Sequence, residues 1–151
     1  IEYGDVIVID FGAKYNGYCA DMTRTIFVGE VSKEAEKLYN FLFDVQADGT
    51  RKLVEGEDTR TIAKRVEYEL NQRNCTLIHA LGHGVGIDIH EKPILSVKSS
   101  TILKNNMVVT NEPGIYIPED IGIRIEDTIV INDRIPSSLI NSSKHLTIID
   151  G

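Results

Sequence analysis

Apolar and polar positions follow two rhythms along this chain. Residues 5–11, Asp-Val-Ile-Val-Ile-Asp-Phe, are β-branched and apolar, the composition of a buried strand. Asn16-Gly17 follows, the strongest short hairpin signal, and residues 18–28 read as the returning strand. A two-residue turn there pairs Asp10 with Thr23 and Gly12 with Asp21. Side chains alternate between the faces of a strand, so positions 10, 12, 21 and 23 share one face. Asp10 and Asp21 then become diagonal neighbours at roughly 7–8 Å. Two carboxylates held that close repel each other, and something positive is expected between them.

The rhythm then changes to that of helices. Ser32 offers an N-cap, with Glu34 and Glu36 in the first turn where the helix dipole favours them. Ala35, Leu38, Tyr39, Leu42 and Val45 follow helical spacing, which predicts an amphipathic helix over 33–54. Gly56 breaks it, and Asp58 or Thr59 can cap a second helix over 60–73. The pair is expected to pack as one unit against the sheet. Strand character returns over 107–117 and, after the turn 118–122, over 123–131. A Ser/Asn-rich link over 136–143 leads to a last short strand at 145–149.

The two hairpins echo one another. Val-Ile-Val-Ile-Asp leads to Ala-Asp-Met-Thr-Arg-Thr-Ile in the first, and Met-Val-Val-Thr-Asn-Glu leads to Ile-Glu-Asp-Thr-Ile-Val-Ile in the second. Asp10 thus corresponds to Glu112, Asp21 to Glu126 and Thr23 to Thr128. A doubled unit predicts two halves around a shared centre. The helices precede only the second hairpin, and the chain enters its first strand within a few residues without an initiating Met. These features predict an N-terminally truncated catalytic domain over 1–151, whose first helices lie upstream.

Composition narrows the function. The formal net charge of −7 and the lack of a basic run argue against nucleic acid as a partner. No stretch is apolar for the ~18 residues of a membrane helix. Cys19 and Cys75 have no metal-ligand spacing and predict neither a disulfide framework nor an oxidising compartment, which suits the cytoplasm.

Three of the 4 histidines fall within His79–His90, interleaved with Gly82, Gly84 and Gly86. Glycines let the backbone approach whatever the imidazoles bind. Together with His83, the carboxylates Asp10, Asp21, Glu112 and Glu126 form a thiol-free set suited to Mn, Fe, Co or Zn. Four carboxylates overload a single ion, whereas two divalent ions about 3.5–4 Å apart would balance them and hold a bridging water or hydroxide.

The set D-F-G, D-M-T-R-T, G-H-G-V-G, N-E-P-G-I-Y and R-I-E-D-T resembles the dinuclear metallopeptidases of the pita-bread fold. These include methionine aminopeptidases, proline dipeptidases (prolidases) and aminopeptidases P. His79, the short step from Glu112 to Glu126, and Arg124 two residues before Glu126 favour the Xaa-Pro branch. The resemblance implies an α+β fold, a curved, mostly antiparallel sheet with helices on its outer face. It implies two divalent ions, Mn first, with Co, Zn or Fe as alternatives. The substrate would be a peptide with proline in second position, and the native protein a homodimer.

Carried over residue by residue, the resemblance implies that Asp10 chelates one metal and that Asp21 and Glu126 bridge both. His83 and Glu112 would complete the coordination of the second ion, with Glu112 also moving protons. His90 would steady the substrate carbonyl or oxyanion, and His79, Arg124 and Tyr116 would shape the substrate pocket. Thr23 and Thr128 would donate to the carboxylates. The branch carries a further substrate-contacting His upstream of the first metal Asp, along with the helices of the first half-domain; both would fall before residue 1, so these residues need not suffice for turnover. A methionine aminopeptidase and a non-catalytic peptide-binding relative remain the alternatives.

Overall fold

A computed structural model describes residues 1–150. The first hairpin comprises β1 (Val6–Tyr15) and β2 (Tyr18–Val28). Asn16 and Gly17 both take positive φ, 49° and 88°, which fits a two-residue hairpin turn. The register follows from that turn: Asp10 lies opposite Thr23 and Gly12 opposite Asp21, as the sequence predicts. Burial of this strand does not follow. Val6, Ile7 and Val8 are only half-buried, and Ile9 and Phe11 are exposed. In the sheet order β1-β2-β10, where β10 is Thr147–Ile149, β1 is the edge strand.

Two helices come next, α1 (Lys33–Arg51) and α2 (Thr59–Asn71). Ser32 Oγ accepts from the Ala35 N–H at 3.0 Å, and the Asp58 carboxylate accepts from the Arg60 N–H at 2.8 Å. Each cap satisfies an N–H that the helix itself leaves unpaired. Helix α1 stops short of the expected residue 54, because Val54 instead bridges Asn132. Their apolar stripes, Tyr39, Leu42 and Val45 on α1 and Ile62, Val66 and Leu70 on α2, are buried. They pack with Leu81, Leu95, Val109, Ile115, Ile123 and Ile129 from the strands, in one core between helices and sheet.

The remaining strands are β3 (Gly82–Gly84), β4 (Glu91–Leu95), β5 (Val108–Asn111), β6 (Gly114–Ile117), β7 (Ile121–Arg124), β8 (Asp127–Val130), β9 (Ser137–Ser138) and β10 (Thr147–Ile149). A five-stranded sheet runs β4-β3-β5-β8-β9, and β6 pairs with β7. All pairings are antiparallel except β10 with β2.

Each of the long strands expected over 107–117 and 123–131 is interrupted, at Glu112-Pro113 and at Ile125-Glu126. Proline has no N–H to give a ladder. Glu126 turns its N–H to the Thr23 carbonyl of β2 at 3.1 Å. The Glu112 N–H goes to the Leu81 carbonyl at 2.9 Å. Pairing on either side of the breaks keeps one register, which sets Glu112 opposite Glu126. The break joins the two hairpins: Thr23 and Glu126 form the bridge between them.

Candidate metal centre

The hairpin junction positions the acidic side chains. Strand β2 brings Asp21, the interruption before β8 brings Glu126, and β3 brings His83. Their ligand atoms lie within 4.8 Å of one another. Glu112 joins them, with Oε1 3.4 Å from His83 Nε2; Asp21 Oδ2 is 3.6 Å from the same nitrogen. Asp10 stands at the margin, half exposed, where its carboxylate pairs with the Arg124 guanidinium.

Glycine is required where β3 threads between its neighbours. A Cβ on Gly82 would lie 2.1 Å from the Thr110 carbonyl oxygen, and one on Gly84 would lie 2.4 Å from that of Lys92. Any side chain at either position would push His83 away from the carboxylates. The His83 ring is also oriented: Nδ1 lies 3.0 Å from the Gly84 carbonyl and donates to it. Nε2 is left with its lone pair facing two carboxylates.

Hydroxyl groups fix the carboxylates. Thr23 Oγ1 donates to Glu126 Oε2 at 2.5 Å. Thr110 Oγ1 donates to Glu112 Oε1 at 3.0 Å and accepts the His83 N–H at 3.0 Å. Thr128 departs from the expectation. It grips the Asp21 backbone instead of a carboxylate, donating to its carbonyl at 2.7 Å and accepting its N–H at 3.1 Å. Thr110 carries no such expectation, although its place two residues before Glu112, on the same strand face, is the signal that marks it.

Burial is the main electrostatic fact. It pushes Glu126 up to about 8, helped by the charge of Glu112, and Glu112 up to about 7. Asp21 is raised too, by burial and then by the charge of Asp10. Carboxyls this reluctant to ionise need protons or a positive ion among them. An imidazole lone pair and three carboxylates converging without a cationic side chain at their centre make a hard, mixed N/O donor set. Such a set fits a divalent transition metal. The residues present therefore fit a metal.

A second group of contacts flanks this cluster. His79 Nδ1 donates to the Ala80 carbonyl at 2.7 Å, so Nε2 accepts from the Tyr116 hydroxyl at 2.8 Å. The Tyr116 oxygen in turn accepts from Arg124 Nη1 at 3.1 Å, and Arg124 Nε reaches Thr23 Oγ1 at 3.2 Å. Burial lowers the His79 pKa and keeps the ring neutral, as this tautomer requires. His90 lies beside the carboxylate-facing histidine, its ring 4.3 Å from that of His83. The structure therefore brings His79, Tyr116 and Arg124 together and sets His90 against the cluster.

Known proteins resemble this chain in sequence and fold. A peptidase of Bacillus subtilis is 43% identical over 151 residues, covering 99% of this chain and 43% of the relative. An Xaa-Pro dipeptidase of Pyrococcus furiosus is 41% identical over 150 residues, covering 97% of this chain and 41% of the relative. The solved Xaa-Pro dipeptidase of Bacillus anthracis superposes with a TM-score of 0.95 at 40% identity, over 99% of this chain and 42% of that one. The α+β architecture is thus the pita-bread fold, and this chain spans about two-fifths of the length of the relatives it matches. Residues 1–133 match the profile of metallopeptidase family M24. The chain belongs to that family.

Proposed function

We propose that residues 1–151 form most of the catalytic domain of a peptidase that hydrolyses the Xaa-Pro bond at the N-terminus of dipeptides or short peptides. Two divalent ions, Mn before Co, Zn or Fe, would be held by Asp10, Asp21, His83, Glu112 and Glu126. The observation that carries this reading is the convergence of Asp21, His83 and Glu126 within 4.8 Å, with Glu112 beside them. Divalent ions bound there acidify a water and polarise the scissile carbonyl.

The chain's own residues would do the rest. Thr110 fixes one oxygen of Glu112. That carboxylate takes a proton from the attacking water and delivers it to the proline nitrogen as the C–N bond breaks. His90, its ring tilted against that of His83, donates to the developing oxyanion. The His79–Tyr116–Arg124 group forms a wall of the substrate pocket, and Arg124 offsets the charge of Asp10.

No described helix is long and apolar enough to cross a membrane. The acidic composition and two free cysteines support a cytoplasmic enzyme. The native protein would be a homodimer, and the exposed Ile9 and Phe11 of the first hairpin should by themselves let this 151-residue chain self-associate. The test is turnover by the whole protein, loaded with Mn, of an Xaa-Pro dipeptide against Met-Ala, with Asp21→Ala as control. Hydrolysis of the proline substrate alone, lost in the variant, is expected. Preference for Met-Ala, or no hydrolysis of either, would refute the reading.

A further inference from the structure

A buried polar network adjoins the carboxylates and has no part in the chemistry above. Arg24 is its hub. Its Nη1 donates to the carbonyls of Thr23 at 2.8 Å and Glu126 at 2.6 Å, which holds the two sides of the hairpin junction together. Its Nη2 donates to Asp127 Oδ1 at 2.7 Å and to the Ser142 carbonyl at 2.9 Å, and its Nε to the Ser143 carbonyl at 2.9 Å. Lys144 Nζ donates to the other Asp127 oxygen at 2.6 Å and to Gln46 Oε1 at 3.0 Å. Asn111 Nδ2 donates to the Gln46 carbonyl at 2.8 Å and to Thr50 Oγ1 at 2.8 Å, and so ties the network to α1.

The position of this network gives it meaning. Asp127 follows Glu126 and Asn111 precedes Glu112, and the two face each other in the β5–β8 ladder. The network therefore holds both residues that flank the opposed glutamates, Asp127 through Arg24 and Lys144, and Asn111 through Gln46 and Thr50. Segment 142–144, far along the chain, completes it: Ser142 and Ser143 accept from Arg24, Lys144 spans Asp127 and Gln46, and Tyr39 donates its hydroxyl to the Lys144 carbonyl at 2.9 Å. Asp127 is only 1% exposed. Apolar residues of the same volume hold a fold at least as well as charges buried this deeply, so stability alone does not account for the arrangement. Directed contacts do something packing cannot, which is to fix distances.

We propose that Lys144, on segment 142–144, is a positioning residue that sets the separation of Glu112 and Glu126 and hence the affinity of the site for metal. This rests on the metal reading above. Outer contacts of this kind commonly alter metal affinity by 10–100-fold. The test titrates Mn²⁺ calorimetrically into wild type, Lys144→Met, Lys144→Arg and Gln46→Leu, well below their unfolding temperatures, and melts each in EDTA.

The expected result is Mn²⁺ affinity lowered about tenfold or more in Lys144→Met. Lys144→Arg should recover to near the wild-type value, since it can still reach Asp127. Gln46→Leu, which keeps the Arg24–Asp127–Lys144 pairs, should fall in the same direction, and it carries the test if Lys144→Met does not fold. Wild-type affinity in the folded variants, with only the melting temperature lowered, would overturn the positioning role and leave the metal reading intact. No Mn²⁺ binding by wild type would overturn both.

Discussion

Glu126 should behave as a residue that the metal-free fold tolerates badly. It is 2% exposed, and its folded-state pKa of about 8 compares with an ordinary 4.5. The proton is thus held more tightly in the folded chain. The stability it contributes is complete below about pH 4.5 and is lost as the pH rises through 8. At about 1.4 kcal/mol per pKa unit, the loss at pH 8 is on the order of 4 kcal/mol, and about half that at pH 6. Glu126→Gln preserves the length and an oxygen to accept from Thr23, while staying neutral at every pH.

In EDTA the variant should therefore be more stable than wild type. The gain in melting temperature at pH 8 is roughly 8–16 °C for a chain of this size, shrinking toward pH 6. Adding Mn²⁺ should raise the wild-type transition and leave the variant unmoved. Thermal denaturation followed by circular dichroism at both pH values decides the matter. A variant less stable than wild type at pH 8, or a difference that does not change between pH 6 and 8, would refute the reasoning.

Thr23→Val removes the donor to Glu126 and the acceptor for Arg124 Nε. The expected cost is about 1–3 kcal/mol in denaturant unfolding, with Mn²⁺ affinity roughly tenfold weaker by calorimetry. Arg124→Lys cannot span Asp10, Thr23 and Tyr116 with one ammonium group. Turnover of an Xaa-Pro dipeptide by the whole protein should fall roughly 100-fold in kcat/KM, and an unchanged value would show that the fork is dispensable.

What the sequence made legible depended on local signals. Asn16-Gly17 fixed the turn, the turn fixed the register, and the register set Asp21 two positions along from Asp10 on one face. Helices α1 and α2 were readable from Ser32, Asp58 and the spacing of the apolar residues. The breaks at Glu112 and Glu126 were not readable, although Pro113 hinted at one. Their cause lies in hydrogen bonds to Leu81 and Thr23, and partners that distant leave no local mark. Arg24 was equally silent, because a lone Arg in a strand reads as a solvated charge until Asp127 and segment 142–144 close around it. The exposure of β1 escaped for the opposite reason: composition reports what a strand is suited to face, and the fold decides what it meets.

The hairpin junction also has a kinetic consequence. The first hairpin closes over two residues, whereas Thr23 and Glu126 are 103 positions apart. Closing so long a loop is entropically slow and must await most of the intervening structure. The Asp10–Asp21 ladder can thus form locally, before the place for an ion exists. An ion that needs this junction would bind only after it has closed, so Mn²⁺ should slow unfolding and leave the refolding rate unchanged in stopped-flow measurements.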